Sequence, residues 1–139
     1  LIMNRFPSFL LLCLLAVSFS CSPRKGNEKT AAPEVSFRCE TQIEETTEVP
    51  RSQVFVTVNG QEQKVADITA CDLIDPSGYE NFEIPQSALA ACGGWWAGAG
   101  DYLYAIQDGT DVVIMKGWQS EEQTESGFHY EEVLRVPVK

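Results

Sequence analysis

The sequence predicts a mainly β protein, a small antiparallel barrel or sandwich of about six strands with one short helix. Three observations support this fold class: runs in which apolar and polar residues alternate, two hairpin turns of the Asn-Gly and Asp-Gly type, and a single stretch suited to a helix. The chain has no internal repeat and no low-complexity block. A single β-rich domain is therefore expected over residues 35–139.

The first three strands are predicted from alternation and from one turn. Residues 35–43 place alternate apolar side chains on one face, which is typical of a half-buried strand. The next two strands flank Asn59-Gly60, a strong signal for a two-residue hairpin loop. With these two residues as the loop, the register pairs Val54 with Val65 and Phe55 with Lys64.

A second hairpin is predicted around Asp108-Gly109, with strands over residues 101–107 and 110–118. Its register pairs Leu103 with Ile114, Tyr102 with Met115, and Asp101 with Lys116, the last being an opposite-charge pair. Both of its faces are apolar, so we expect this hairpin to be central or covered on both sides. A last strand over residues 127–138 contains Pro137, which suits an edge.

The segment between the hairpins is less regular. Residues 67–84 show little periodicity and are predicted to be a loop. Residues 85–92 are the predicted helix, because Pro85 suits a first helical turn and Gly93-Gly94 would end it.

Cysteine usage limits the disulfides and argues against a metal site. Outside the N-terminal apolar segment the cysteines are Cys21, Cys39, Cys71 and Cys92. If Cys21 is acylated, at most one intramolecular disulfide forms, and if it is not, two can form. We expect Cys71–Cys92, because this pair encloses the least regular part of the domain, with Cys39 as a buried free thiol. No C-x2-C spacing exists and His129 is the only histidine, so no metal or other cofactor is predicted.

The first twenty residues are predicted to be a signal peptide. Met3 is the expected start, Arg5 is the only charge, and the apolar stretch Phe9–Phe19 is too short to span a bilayer. Ser20-Cys21 resembles the lipobox of bacterial lipoproteins, in which a small residue precedes the modified cysteine. That resemblance implies a diacylglycerol thioether on Cys21, further acylation such as palmitate, and an anchor in the cell envelope, at the outer membrane or a periplasm-facing membrane.

An alternative processing site stays open. Ser18 and Ser20 also satisfy the small-x-small rule of ordinary signal peptidase, which would leave Cys21 unmodified and the protein secreted. In either case residues 21–34 are polar, contain proline and glycine, and lack periodicity. They are predicted to be a flexible tether, and the membrane is the expected partner of its lipid.

The charge is concentrated in the domain. From Ala32 onward the chain has six basic and nineteen acidic residues, a net charge of −13, whereas the tether holds Arg24, Lys25 and Lys29. An acidic body repels nucleic-acid phosphates, so nucleic-acid binding is disfavoured. A cationic protein partner is favoured over it, although solubility alone also explains the charge.

Few residues suggest catalysis. The single histidine, His129, lies in a predicted strand, so no nucleophile with an adjacent base is predicted. Asp72, Asp75 and Glu80 form an acidic cluster without the alternate-ligand spacing of a calcium loop. We therefore expect a protein that is not an enzyme.

Residues 93–104 combine glycines with aromatic residues and are the predicted binding segment. Trp95, Tyr102 and Tyr104 are the candidates for contact with a carbohydrate ring or a partner protein. The alternative is that these rings fill the core. Because neighbouring residues of a strand point to opposite faces, we expect Trp96 to be buried and Trp95 at least partly exposed.

Three short segments resemble small lipid-anchored inhibitors of c-type lysozyme. Phe37-Arg38-Cys39, Ser77-Gly78-Tyr79 and Trp95-Trp96 recur in the order of that family's aromatic-x-Cys strand, Ser-Gly segment and Trp-rich strand. The resemblance implies a β-barrel that inhibits a cationic cell-wall hydrolase. The leading interpretation is broader: a non-enzymatic binding domain tethered to the membrane, with inhibition as the alternative.

Overall fold

The computed structural model describes residues 31–123 and 127–138. The predictions about the signal peptide, Cys21 and most of the tether fall outside these residues. Within them, no helix is long and apolar enough to cross a membrane. The strands are β1 Val35–Ile43, β2 Pro50–Val58, β3 Gln61–Ile68, β4 Asp72–Leu73, β5 Ala90–Trp96, β6 Ala99–Asp108, β7 Asp111–Ser120 and β8 His129–Pro137, with a 3₁₀ helix over Pro76–Phe82.

The strands form two antiparallel sheets, which confirms the mainly β prediction. One sheet has the order β1-β2-β3 and the other β4-β5-β6-β7-β8, consistent with a small sandwich. The alternating apolar residues predicted for β1 and β2 meet the inner face of the larger sheet, so one aliphatic core lies between them. Its fully buried members include Val54, Val56, Cys92, Leu103, Val112 and Ile114.

The first hairpin follows its predicted register as far as a bulge. Asn59 and Gly60 form the turn, with positive φ angles of 47° and 81°, as a type I′ turn requires. Phe55 pairs with Lys64 as predicted, but Val54 pairs with Ala66, because the register shifts between Val54 and Phe55. The predicted Val54–Val65 pair is therefore wrong.

The second hairpin has a register two residues away from the prediction. Its turn is Gly109-Thr110, so Leu103 faces Lys116, Tyr102 faces Gly117, and Asp101 faces Trp118. Gly109 alone has a positive φ, 61°, which suits a turn with glycine at the first central position. A shift of two keeps every side chain on its predicted face.

The predicted helix over residues 85–92 is wrong. Ala90–Cys92 instead belongs to β5, where Ala90 pairs with Ala105 and Cys92 with Leu103, so tertiary pairing overrides helix propensity. The short helix occurs in the predicted loop. Asp75 caps it by accepting a hydrogen bond from the Ser77 backbone N–H at 3.0 Å, and Pro76 occupies its first turn.

The outer face of the five-stranded sheet carries a second, aromatic core. Tyr79 and Tyr104 are buried there, and the Phe82 ring stacks on Tyr102 with centroids 4.4 Å apart. The Tyr130 hydroxyl donates a hydrogen bond to the Phe82 carbonyl at 2.7 Å. The β6–β7 hairpin is thus covered on both faces, as its composition predicts. Pro137 lies on the edge strand β8.

Candidate functional site

The disulfide joins Cys39 to Cys71, and Cys92 is a buried free cysteine. The predicted Cys71–Cys92 pair is therefore wrong, as is a free Cys39. Cys39 lies on β1, at the edge of the smaller sheet, and Cys71 immediately precedes β4, at the edge of the larger one. Their Cα atoms are 5.9 Å apart, so the bond links the two sheets.

Two of the three predicted binding aromatics are inaccessible. Tyr102 is 3% exposed and Tyr104 is 7% exposed, because both belong to the outer aromatic core. The prediction that they form a contact surface is wrong. Trp95, the third candidate, is 42% exposed.

The prediction for the neighbouring tryptophan also fails. Trp96 is 44% exposed, almost the same as Trp95, although both belong to the extended strand β5. The Trp95 ring lies on the outer face over Gly100, where an added Cβ would be 2.7 Å from its Cε3 atom. Alternation along β5 places Trp96 on the inner face. The predicted partial exposure of Trp95 is confirmed, and the predicted burial of Trp96 is wrong.

Trp96 is exposed because the inner face is covered at only one end. Cys92 and Leu103 are fully buried on this face, whereas Trp96 and Trp118, further along it, are 44% and 45% exposed. The three-stranded sheet therefore covers the first part of the face and not the second. Trp118 was not among the predicted site residues, because only the observed registers of β5, β6 and β7 show that it shares a face with Trp96.

Trp96 and Trp118 lie on either side of a short segment of β6, which we call the floor of the site. One register row contains Trp96, Ala99 and Ser120, and the next contains Gly94, Asp101 and Trp118. Trp96 is on β5 and Trp118 on β7, so two strand spacings, about 10 Å, separate them laterally. On β6 the register places the short side chains of Ala99 and Asp101 between them, and Lys116 Nζ reaches the Asp101 carboxylate.

A cleft of about 410 Å³ opens beside this floor, and Asp101 lines it. Its other walls come from the near end of the three-stranded sheet, with mainly polar side chains that include Glu40, Gln42, Ser52, Gln53, Asp67 and Thr69. The Ser52 and Thr41 hydroxyls are hydrogen bonded at 2.8 Å, and Lys116 Nζ donates to Asp101 Oδ1 at 2.9 Å. We refer to this cleft together with Trp96 and Trp118 as the tryptophan cleft.

The basic side chains of the described domain are all committed to internal ion pairs. Arg38 pairs with Glu40 and Glu62, and Arg135 pairs with Asp108, Asp111 and Glu132. Arg51, Lys64 and Lys116 each pair with one carboxylate. The pKa values of Glu62 and Glu132 are lowered, chiefly because each accepts hydrogen bonds from its arginine. The excess negative charge is therefore left for solvent or a partner.

The other singled-out residues do not assemble into a site. Asp75 caps the 3₁₀ helix, and its hydrogen bonds with the Ser77 backbone and hydroxyl lower its pKa. Asp72, Asp75 and Glu80 do not form a metal-ligand group, and in the described part of the chain only Cys39, Cys71 and Cys92 bring three such ligand atoms together. His129 lies on β8, opposite Trp118 in the register.

Comparisons of the chain with protein-family models, with curated proteins and with solved structures found no match. The resemblance to lysozyme inhibitors therefore stays a prediction.

Proposed function

We propose that this chain is an exported, lipid-anchored binding domain without enzymatic activity, which binds a saccharide in the tryptophan cleft. The observation that carries the proposal is the pair of exposed indole rings, Trp96 and Trp118, on either side of β6, where Asp101 also lines the adjacent polar cleft. Large exposed aromatic side chains on one face of a small domain commonly mark a binding surface.

The chemistry of the tryptophan cleft suits a ligand with flat apolar faces and many hydroxyl groups. Indole rings offer apolar area to the C–H faces of a pyranose ring. The carboxylate, amide and hydroxyl groups of the cleft offer hydrogen bonds to sugar hydroxyls, and its volume falls within the range of small-ligand sites, about 300–1,000 Å³. The bond from Lys116 fixes one oxygen of Asp101 and holds that carboxylate in place.

The proposed anchor is the lipid on Cys21. A tether of about 13 residues spans roughly 20 Å on average, which lets the domain clear the lipid headgroups. Changing Cys21→Ser should block lipid labelling and move the protein from the membrane to the soluble fraction. Unchanged membrane retention of this variant would contradict the anchor without bearing on the cleft.

The cleft is tested by titrating the protein with chito-oligosaccharides and soluble peptidoglycan fragments while following tryptophan fluorescence and calorimetry. Trp96→Ala and Trp118→Ala should each lower affinity at least tenfold. Trp95→Ala is the matched control, since Trp95 is equally exposed and lies on the opposite face. Equal losses in all three variants, or no binding by the wild type, would refute the saccharide proposal.

A second candidate function is inhibition of a cationic cell-wall hydrolase such as c-type lysozyme. It is favoured by the net charge of −13 from Ala32 onward, together with the internal pairing of the basic side chains of the described domain. Electrostatic association weakens with salt, so inhibition should be strongest at low ionic strength. Undiminished lysozyme activity at low salt with excess protein would eliminate this candidate.

A further inference from the structure

Three cysteine sulfurs meet at the junction of the two sheets. The Sγ atoms of Cys39, Cys71 and Cys92 all lie within 4.8 Å of one another. Two of them form the disulfide, and Cys92, fully buried on β5, is the third. Cys92 pairs in register with Leu73, two residues beyond Cys71, so the backbone holds the free thiol beside the disulfide.

We propose that these residues form a three-sulfur exchange site, in which Cys92 replaces Cys39 as the partner of Cys71 and turns Cys39 into a modifiable thiol. The Cys92 thiolate attacks Sγ of Cys71, the Cys71–Cys92 bond forms, and the Cys39–Cys71 bond breaks. Cys39 leaves as a thiolate and takes up the proton that Cys92 gave up. One disulfide and one thiol are present before and after, so no external oxidant or reductant is needed.

The exchange would change both the connectivity and the exposed chemistry of the protein. The Cys39–Cys71 bond ties the two sheets together, whereas a Cys71–Cys92 bond would connect only the adjoining edge of the larger sheet. Cys39 and Cys71 line a surface depression of about 320 Å³ with Phe37, Arg38, Asp72 and Leu73. A released Cys39 thiol would therefore be open to solvent-borne disulfides and electrophiles.

Burial keeps the exchange slow in the closed structure. Desolvation raises the pKa of the Cys92 thiol to about 12, so little of it is the nucleophilic thiolate at neutral pH. β4 is a two-residue strand at the sheet edge, and short edge elements open locally at low free-energy cost. Opening of β4 would admit water to the cluster and permit the attack.

The test is thiol mapping by mass spectrometry on the chain from residue 21 carrying Cys21→Ser. The folded protein is incubated with iodoacetamide, samples are taken over time, and the alkylated cysteines are identified in each sample. We expect one label per chain, with more than half of it on Cys39. The control Cys92→Ala should show no label, because its disulfide has no internal competitor. Label confined to Cys92, or label on Cys39 in the control, would overturn the proposal.

A second variant tests the alternative bond directly. Folded Cys39→Ser, reduced and then exposed to oxidised glutathione, should form Cys71–Cys92 and lose both alkylatable thiols while its circular dichroism spectrum is retained. If Cys39→Ser does not fold, the wild-type time course alone decides. Two persistent thiols in the folded, oxidised variant would contradict the proposed geometry.

Discussion

The two faces of the five-stranded sheet are buried by different means. The inner face is covered by another sheet and packs aliphatic side chains, whereas the outer face is covered by aromatic rings from the 3₁₀ helix and from residues 128–130. A covering sheet ends abruptly where its strands end, which leaves Trp96 and Trp118 exposed. The candidate site therefore exists because the two sheets differ in extent.

On the outer face of the five-stranded sheet, glycines in the strands allow aromatic rings to lie directly against the backbone. The Tyr130 ring rests on Gly117, its register partner, where an added Cβ would come within 2.6 Å of Cδ1. Trp95 covers Gly100 in the same way. Aromatic rings that cover glycines in a neighbouring strand offset the loss of side-chain packing there.

The largest expected effect is on the inner face. Ile114→Ala removes a fully buried side chain from the aliphatic core and should lower the free energy of unfolding by about 3–4 kcal/mol. Urea denaturation followed by circular dichroism measures this loss. A loss below about 1 kcal/mol would mean that the two sheets do not pack closely at this point.

The next effect is on the outer face. Gly117→Ala places a methyl group where the Tyr130 ring lies, so the ring must move, at an expected cost of about 2 kcal/mol. Gly78→Ala is the matched control. A Cβ added at Gly78 would lie 3.5 Å from Cγ2 of Ile74, an ordinary van der Waals distance, and the φ angle of Gly78 is not positive. Equal melting temperatures for the two variants would show that the ring does not rest on Gly117.

A smaller effect is expected from the Tyr130 hydroxyl, which links β8 to the 3₁₀ helix through a hydrogen bond. Tyr130→Phe removes the hydrogen bond to the Phe82 carbonyl and should cost about 1 kcal/mol at neutral pH.

Tyr130→Phe should also change how the free energy of unfolding depends on pH in the alkaline range. Burial raises the pKa of Tyr130 above the ordinary value of about 10. A pKa raised by folding gives stability that is complete below about pH 10 and is lost as the pH rises through the folded value. Tyr130→Phe should therefore lose less stability than the wild type between pH 9 and about 11, measured by urea titration. An identical alkaline decline in both proteins would contradict burial of this phenol.

The sequence was sufficient for the fold class and for the side-chain faces of β1 and of the β6–β7 hairpin, because these follow from the period-two pattern. It was not sufficient for features of the structure that depend on contacts between residues distant in sequence. The Cys39–Cys71 bond depends on which strand edges meet, and the exposure of Trp96 depends on where the opposite sheet ends. Residues 85–92 favour a helix locally, and only pairing with β6 makes their last part a strand.

The smallest stability effect is expected at the candidate site itself. Trp96 lies on the inner face beyond the covering sheet, so Trp96→Ala should lower the free energy of unfolding by less than about 1 kcal/mol. Trp95→Ala should cost more, although its exposure is nearly equal, because it uncovers Gly100 and the neighbouring edge of Tyr102. Urea unfolding of the two variants, side by side, measures this difference. If Trp96→Ala is the more destabilising change, its ring contributes to the core, and the saccharide proposal loses one of the two exposed rings on which it depends.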